Sequence, residues 1–145
     1  MDREYIKKFR AVIRQFEREI FFQNAESCCN GVSLAQCHTL LEIENREKIS
    51  VTELADSLSL DKSTVSRTVD GLVNAGLVER VIPADNRRMA ILSLTKTGIK
   101  ACADINSLSD KYFEDNLSVL TGKEQEELLR LLQKITGNMV RLRKV

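Results

Sequence analysis

The sequence predicts a mainly α-helical fold with one small antiparallel β-hairpin. Apolar residues recur every three or four positions along most of the chain, as they do on the buried face of a helix. Two short segments, 77–82 and 89–94, are instead rich in Val, Ile and Leu, and the turn-forming segment 83–88 joins them. With 145 residues, 43% of them hydrophobic, the chain is long enough to form one domain with its own core.

The first predicted helix covers residues 3–24. Its apolar stripe consists of Phe9, Ile13, Phe16 and Ile20, and further apolar surface comes from Tyr5, Phe21 and Phe22. Two explanations of this excess stay open: the helix packs against a second copy of the chain, or it is a core helix with a wide apolar face. Segment 25–32 is expected to break the helix through Asn30-Gly31.

The second and third helices are predicted from their capping residues. Ser33 caps the second helix, with Gln36 in the capping-box position, and the helix ends in the charged run 44–48. Its buried side is formed by Leu34, Leu40, Leu41 and Ile43. Thr52 is the expected N-cap of the short third helix, in which Leu54, Ala55 and Leu58 share one face.

A tight turn at 59–61 leads into the fourth helix, which Asp61 can cap. Gly76 follows the helix at a position that favours a left-handed residue. The inward-facing residues are Val65, Val69, Leu72 and Val73, and the outer side carries Lys62, Ser63, Thr64, Ser66, Arg67 and Asp70. Two helices joined by a turn and followed by a β-hairpin have the layout of a winged helix-turn-helix.

The outer side of the fourth helix has the composition of a helix that enters the major groove of DNA. Short hydroxyl side chains reach phosphates or base edges, and arginine binds guanine in two places. A solvated helix face is the alternative, but the next hairpin carries Arg87 and Arg88 at its tip, where they can reach a minor groove. The formal charge of the chain is only +1, yet residues 61–100 hold seven basic and four acidic side chains.

Two further helices are predicted after the hairpin. Thr95 can cap a helix that runs to about residue 115, with Ile99, Ala103, Leu108, Tyr112 and Phe113 at a loose helical period. Thr121 and Glu124 form the capping box of the last helix, whose apolar stripe consists of Leu128, Leu132, Ile135, Met139 and Leu142. The helices at the chain ends are expected to pair across a two-fold axis, so that a homodimer reads a pseudo-palindromic site with half-sites about one helical turn apart.

The segments LDKSTVSRTVDGLVNAGLVER and DNRRMAILSLTKTG resemble the DNA-binding helix and wing of the MarR family of winged helix-turn-helix transcriptional regulators. The resemblance covers nearly the whole chain in length and element order. It implies a homodimeric regulator, here a repressor, that binds double-stranded operator DNA and requires no cofactor. It also implies that Ser63, Thr64, Ser66 and Arg67 meet the major groove and that Arg87 or Arg88 meets the minor groove.

The domain organisation that we expect is a single MarR-like domain over residues 1–145. Residues 33–102 form its winged-helix DNA-binding lobe, and residues 1–32 and 103–145 form its dimerisation helices. No apolar run approaches the roughly 20 residues that span a bilayer, and no secretory signal opens the chain. We therefore expect a cytoplasmic protein without a membrane partner.

Four cysteines, Cys28, Cys29, Cys37 and Cys102, form the candidate effector site. Buried cysteine is a common small apolar residue, so packing alone can explain any one of them. The first three lie in a loop and the adjacent helix turn, where their sulfurs could converge on Zn(II), Cu(I) or a trivalent metalloid. Since the chain has one His, a His-rich zinc site is excluded. The resemblance implies an effector pocket bordered by the first two helices and the helix after the wing, and all four cysteines fall on these elements.

Several functions stay open at this point. The effector is a metalloid or soft metal, or else an oxidant, sensed through Cys28, Cys29 and Cys37, with Cys102 as a further candidate. Alternatively, the regulator has a pocket for a small aromatic acid, or its cysteines only pack. An enzyme that uses Cys37 and His38 is disfavoured, because adjacent helix residues point about 100° apart. A winged helix that binds proteins instead of DNA is disfavoured by the basic wing.

Overall fold

The structure, a computed structural model, describes residues 1–27, 31–85 and 89–144, except for the side chains of 24–27. The elements in chain order are α1 (Arg3–Ser27), α2 (Leu34–Arg46), β1 (Ile49–Ser50), α3 (Val51–Leu58), α4 (Lys62–Asn74), β2 (Val78–Val81), β3 (Ile91–Leu94), α5 (Lys96–Leu117) and α6 (Gly122–Arg143). The predicted fold class, mainly helical with a small antiparallel sheet, is confirmed.

Internal contacts divide the chain into a unit of residues 1–108 and a unit of residues 109–145. The first unit contains α1 to α4, the sheet and most of α5, whereas the second contains the end of α5 and all of α6. The expected single domain with its dimerisation segments 1–32 and 103–145 stays a prediction. None of the described helices is both long enough and apolar enough to cross a membrane.

The sheet has the strand order β1-β3-β2, and both pairings are antiparallel. In β2 and β3, Val78 lies opposite Leu94 and Val81 lies opposite Ile91. The predicted hairpin is confirmed, although its strands are shorter than 77–82 and 89–94. The strand β1 was not predicted, since its two residues are too few to show a strand period.

The core of the first unit lies between α2, α3, α4, α5 and the sheet. Its fully buried side chains are mainly aliphatic: Leu40, Ile43, Ile49, Leu54, Val65, Val69, Leu72 and Leu92, together with Thr39 and Cys102. The inward face predicted for α4 is thus confirmed at its centre. For α2 the prediction was wrong at Leu34, which is exposed, because the buried stripe runs instead through Cys37, Leu40 and Ile43.

Most of the predicted helix starts are confirmed by hydrogen bonds. Ser33 and Gln36 form a capping box on α2, as do Thr121 and Glu124 on α6. The hydroxyl of Thr95 accepts the N–H of Gly98 at 3.0 Å at the start of α5. Gly76 has φ of +74°, as expected after the end of α4.

The predicted cap of α3 was wrong. Ser50, not Thr52, is the N-cap, and its hydroxyl oxygen accepts the N–H of Glu53 at 3.1 Å. The start shifts by two residues because Ser50 also ends β1 and is held in the sheet opposite Ile91. Helix α1 likewise extends to Ser27, past the predicted end at residue 24.

The apolar residues of α1 and α6 are largely exposed. In α1, Phe16, Phe21 and Phe22 are 57%, 68% and 61% exposed. Within residues 122–143, all of which are described, α6 has no buried residue. These exposed fractions do not fit the alternative in which α1 is a core helix with a wide apolar face.

Candidate DNA-binding interface

The outer side of α4 is the centre of the candidate interface. Asp61 has extended backbone geometry as N-cap, and the helix buries Val65, Val69 and Leu72 on its other side. That burial leaves Lys62, Ser63 and Arg67 exposed, with Thr64 and Ser66 half-buried. Within the described residues, neither Lys62 nor Arg67 forms an ion pair. Both cations are therefore available to phosphates.

Asp61 holds the first turn of α4 with three hydrogen bonds. Its carboxylate accepts the Ser63 hydroxyl at 2.6 Å, the Thr64 hydroxyl at 2.6 Å and the Thr64 N–H at 3.0 Å. These hydrogen bonds hold the pKa of Asp61 well below its ordinary value, and the bond from the Ser63 hydroxyl makes the largest contribution. The carboxylate thus stays ionised at neutral pH and fixes both neighbouring hydroxyl groups.

An open groove of about 780 Å³ lies between α4, the start of α3 and the hairpin. Lys62, Ser63 and Ser66 line it from α4, and Thr52 lines it from α3. The hairpin contributes Arg80, Ile82, Met89 and Ala90. The predicted outer side of α4 and the described part of the hairpin therefore border one concave surface.

Arg80 is a member of this surface that the sequence reasoning missed. It alternates along β2 with exposed residues and lies on the same side as the buried Val78, so it faces α4. The alternation of side chains along a strand is the sequence signal that could have placed Arg80 on the α4 side of β2. Its guanidinium contacts the carboxylate of Asp70 on α4 at 2.7 Å.

The comparisons with known proteins point to one family. The family model described as "MarR family" matches residues 30–89. The HTH-type transcriptional regulator BilQ of Clostridium symbiosum is 32% identical over 114 residues, which are 79% of each chain. The chain belongs to the MarR family. It is accordingly a DNA-binding transcriptional regulator and not an enzyme.

Two other proteins extend this MarR-family likeness. A putative transcriptional regulatory protein for the hcr operon of Thauera aromatica is 28% identical over 125 residues, covering 86% of this chain and 72% of that protein. The crystal structure of a mutant MarR from E. coli, complexed with operator DNA, has a TM-score of 0.75 and 27% identity. That match covers 93% of this chain and 99% of the other. The predicted winged helix-turn-helix is confirmed.

Not all predicted site residues of this MarR-family chain can be placed. Arg87 and Arg88 at the hairpin tip lie outside the described residues, as do Cys28 and Cys29. The described flanks of the hairpin tip, Asp85 and Met89, are exposed. The predicted DNA contacts through the two arginines stay a prediction.

Cys37 and Cys102 lie in the core, between α2 and α5. They are 4% and 0% exposed, and the Cys102 thiol donates to the carbonyl oxygen of Leu40 at 3.7 Å. Burial raises the pKa of both thiols, that of Cys102 to about 12, with a further contribution from Glu44. Asn106 donates to the Glu44 carboxylate at 2.9 Å. In the described part of the chain, no group of three or more His, Cys, Asp or Glu side chains could hold a metal ion.

Proposed function

We propose that the chain is a homodimeric repressor that binds a pseudo-palindromic operator through α4 and the hairpin of each subunit. The observation that carries the proposal is the outer side of α4, where Lys62 and Arg67 stand exposed next to short hydroxyl residues and a groove bordered by the hairpin. An exposed helix face with two cations and short hydroxyl groups can enter the major groove, whose phosphates are negatively charged. The E. coli relative of similar fold, which is complexed with operator DNA, supports operator DNA as the ligand.

The proposed roles of the side chains differ. Lys62 binds phosphate as a point charge, and Arg67 binds phosphate or a guanine edge with its planar group. Ser63, Thr64 and Ser66 meet base edges. Arg87 and Arg88 enter the flanking minor groove, whose negative potential attracts arginine.

The exposed apolar faces support the homodimer. On α6 the stripe residues Leu132, Ile135 and Met139 are 47%, 41% and 62% exposed, and α1 exposes its aromatic residues as described above. Apolar faces of this extent usually mark protein interfaces. A two-fold axis would place one α4 in each half-site.

The test of DNA binding is the salt dependence of duplex affinity, measured first on random-sequence duplexes. Lys62→Ala and Arg67→Ala should each reduce the slope of log affinity against log salt by about 0.9 if each residue neutralises one phosphate. Lys123→Ala, which removes an exposed charge at the start of α6, is the matched control and should leave the slope unchanged. Equal slopes in all variants would refute the proposed surface.

The test of the dimer is the mass in solution by light scattering. Leu132→Lys places a charge in the apolar stripe of α6 and should produce monomers, since an unpaired charge is costly at a buried interface. Gln133→Lys adds the same charge about 100° around the helix and should leave the dimer intact. A monomeric wild type, or dimeric Leu132→Lys, would contradict the homodimer.

For the effector, we infer that thiols couple to the position of α4 through α2. Cys37 of α2 lies in the same buried core as Val65, Val69 and Leu72 of α4. Because α2 and α4 share this core, we expect a displacement of Cys37 to shift α4 as well. A trivalent metalloid or soft metal held by Cys28, Cys29 and Cys37, or an oxidant acting on them, would draw Cys37 out of the core and weaken operator binding.

An operator sequence is first selected by the wild type from random-sequence duplexes. Release of the protein from this operator by arsenite, zinc ion, hydrogen peroxide or benzoate then separates the proposed effectors. Thiol sensing requires that one of the first three releases the wild type and that Cys28→Ser and Cys37→Ser suppress the release. Release by benzoate alone, equal in all variants, supports the aromatic-acid alternative. If the cysteine variants respond to arsenite, zinc ion or peroxide as the wild type does, the thiols have no part in release.

A further inference from the structure

The hydroxyl groups of Ser63 and Thr64 both donate their protons in hydrogen bonds to Asp61. Each lies 2.6 Å from an oxygen of the Asp61 carboxylate, Ser63 from Oδ2 and Thr64 from Oδ1. An ionised carboxylate can only accept hydrogen bonds, so both hydroxyls must donate to it. Since a hydroxyl group has a single proton, what each still offers to a ligand is its lone pairs.

This arrangement changes what the start of α4 can bind. Phosphate oxygens, guanine N7 and O6, and thymine O4 are all acceptors, and a hydroxyl without a spare proton gives them nothing. The exposed negative charge of Asp61 also repels a phosphate. The donors on the major-groove edges are the amino groups of adenine N6 and cytosine N4.

We propose that Asp61 is a positioning residue for sequence readout, which makes Ser63 and Thr64 select adenine or cytosine over guanine or thymine on the strand that they contact. The proposal rests on the proposed docking of α4 in the major groove. Every base pair presents one amino group in the major groove, on its adenine or its cytosine. A hydroxyl that can only accept therefore favours the orientation of the base pair that puts this amino group on the contacted strand. Ser66 lies outside the Asp61 network among the described residues and provides an internal comparison.

Selection from a pool of random-sequence duplexes by the wild-type protein gives the bound sites. The same selection with Ser63→Ala identifies the base position that this hydroxyl contacts, because its preference there is lost. At that position we expect adenine or cytosine to bind roughly fivefold more tightly than guanine or thymine, the factor of a single net hydrogen bond. Ser66→Ala should leave this ratio unchanged.

Asp61→Asn is the decisive variant. Asparagine caps helices as well as aspartate does, so α4 is retained, and a thermal melt checks this. Its amide has only one acceptor oxygen, which leaves a hydroxyl free to donate to guanine or thymine. The preference should fall to about twofold or less, because one net hydrogen bond no longer discriminates. Loss of the charge raises affinity for all duplexes alike, and the ratio is insensitive to it. Asp61→Ser, which retains a capping hydroxyl, should relax the preference in the same way.

The outcomes separate this inference from the proposed function. If Arg67→Ala changes the salt slope but Asp61→Asn retains the base ratio, the inference is wrong and the proposed interface is unaffected. The same holds if the wild type selects guanine or thymine at the contacted position. The inference is also wrong if Ser63→Ala alters no position. If neither Arg67→Ala nor Lys62→Ala changes the salt slope, the interface and the inference fail together.

Discussion

The guanidinium of Arg80 on β2 lies 2.7 Å from the carboxylate of Asp70 on α4, and this ion pair joins the hairpin to α4. The two side chains are 31% and 53% exposed, so water screens much of their attraction. The Nε of Arg80 is buried and has no acceptor within the described residues. The pair therefore serves mainly to set the position of the hairpin relative to α4.

Reversing the pair tests this role. Arg80→Asp should weaken duplex binding by about tenfold, the cost of a displaced wing contact, and Asp70→Arg added to it should restore most of the affinity. Unfolding in urea should show a coupling of less than about 1 kcal/mol between the two positions. If the double variant stays as weak as Arg80→Asp, then Arg80 contacts DNA itself and does not act through Asp70.

Ser50 should matter more for stability than Thr52. The Ser50 hydroxyl accepts the Glu53 N–H and donates to the Glu53 carboxylate, whereas Thr52 is exposed in the first turn of α3. Ser50→Ala should lower the free energy of unfolding by about 1 kcal/mol, as the loss of an N-cap does. Thr52→Ala should change it by less than about 0.5 kcal/mol, as surface substitutions do. Urea titration measures both, and equal losses would contradict the assignment of the cap.

The helix N-caps show which parts of the fold can be predicted from the sequence. Asp61, Ser33 and Thr121 were found because the cap and its partner are close in sequence and obey a fixed spacing. Ser50 and Glu53 have the same spacing, and the prediction of Thr52 as the cap overlooked it. The pairing of Ser50 with Ile91 in the sheet, by contrast, joins residues far apart in sequence, so β1 itself required the structure.

Gly98 should not tolerate a side chain. A Cβ at this position of α5 would lie 2.0 Å from the carbonyl oxygen of Leu77, which also accepts the Thr95 N–H at 3.1 Å. Because this obstacle is backbone, Gly98→Ala should lower the free energy of unfolding by about 2–3 kcal/mol. Gly137→Ala in α6, where nothing lies within 4 Å, should instead raise it by up to about 1 kcal/mol through helix propensity.

Unfolding of both variants at one protein concentration provides the comparison, since a dimer is stabilised by mass action. A small effect of Gly98→Ala would mean that α5 shifts away from Leu77. Helical periodicity does not indicate this close approach, because it places Ile99, not Gly98, on the buried face of α5. In the structure Ile99 is exposed, and Gly98, Cys102 and Ile105 form the buried face of α5.

The same misplaced face explains why Cys102 could not be assigned from the sequence. The predicted stripe ran through Ile99 and Ala103, both of which are exposed. Cys102 lies one residue away from it, against the carbonyl oxygen of Leu40. Its thiol belongs to the core of the first unit, and its chemistry follows from that burial.

Cys102 should make the fold sensitive to alkaline pH. Burial, with a smaller contribution from the negative charge of Glu44, raises its pKa from 9.0 to about 12. The folded chain therefore retains a proton that the unfolded chain releases above pH 9, so the contribution to stability is complete below pH 9 and declines as the pH approaches 12. The free energy of unfolding should fall between pH 9 and 10.5 more steeply in the wild type than in Cys102→Ala, and urea titration across this range measures the difference. Identical slopes would show that the thiol ionises in the folded chain as it does in the unfolded one, and that Cys102 is not held in the protonated form by the core.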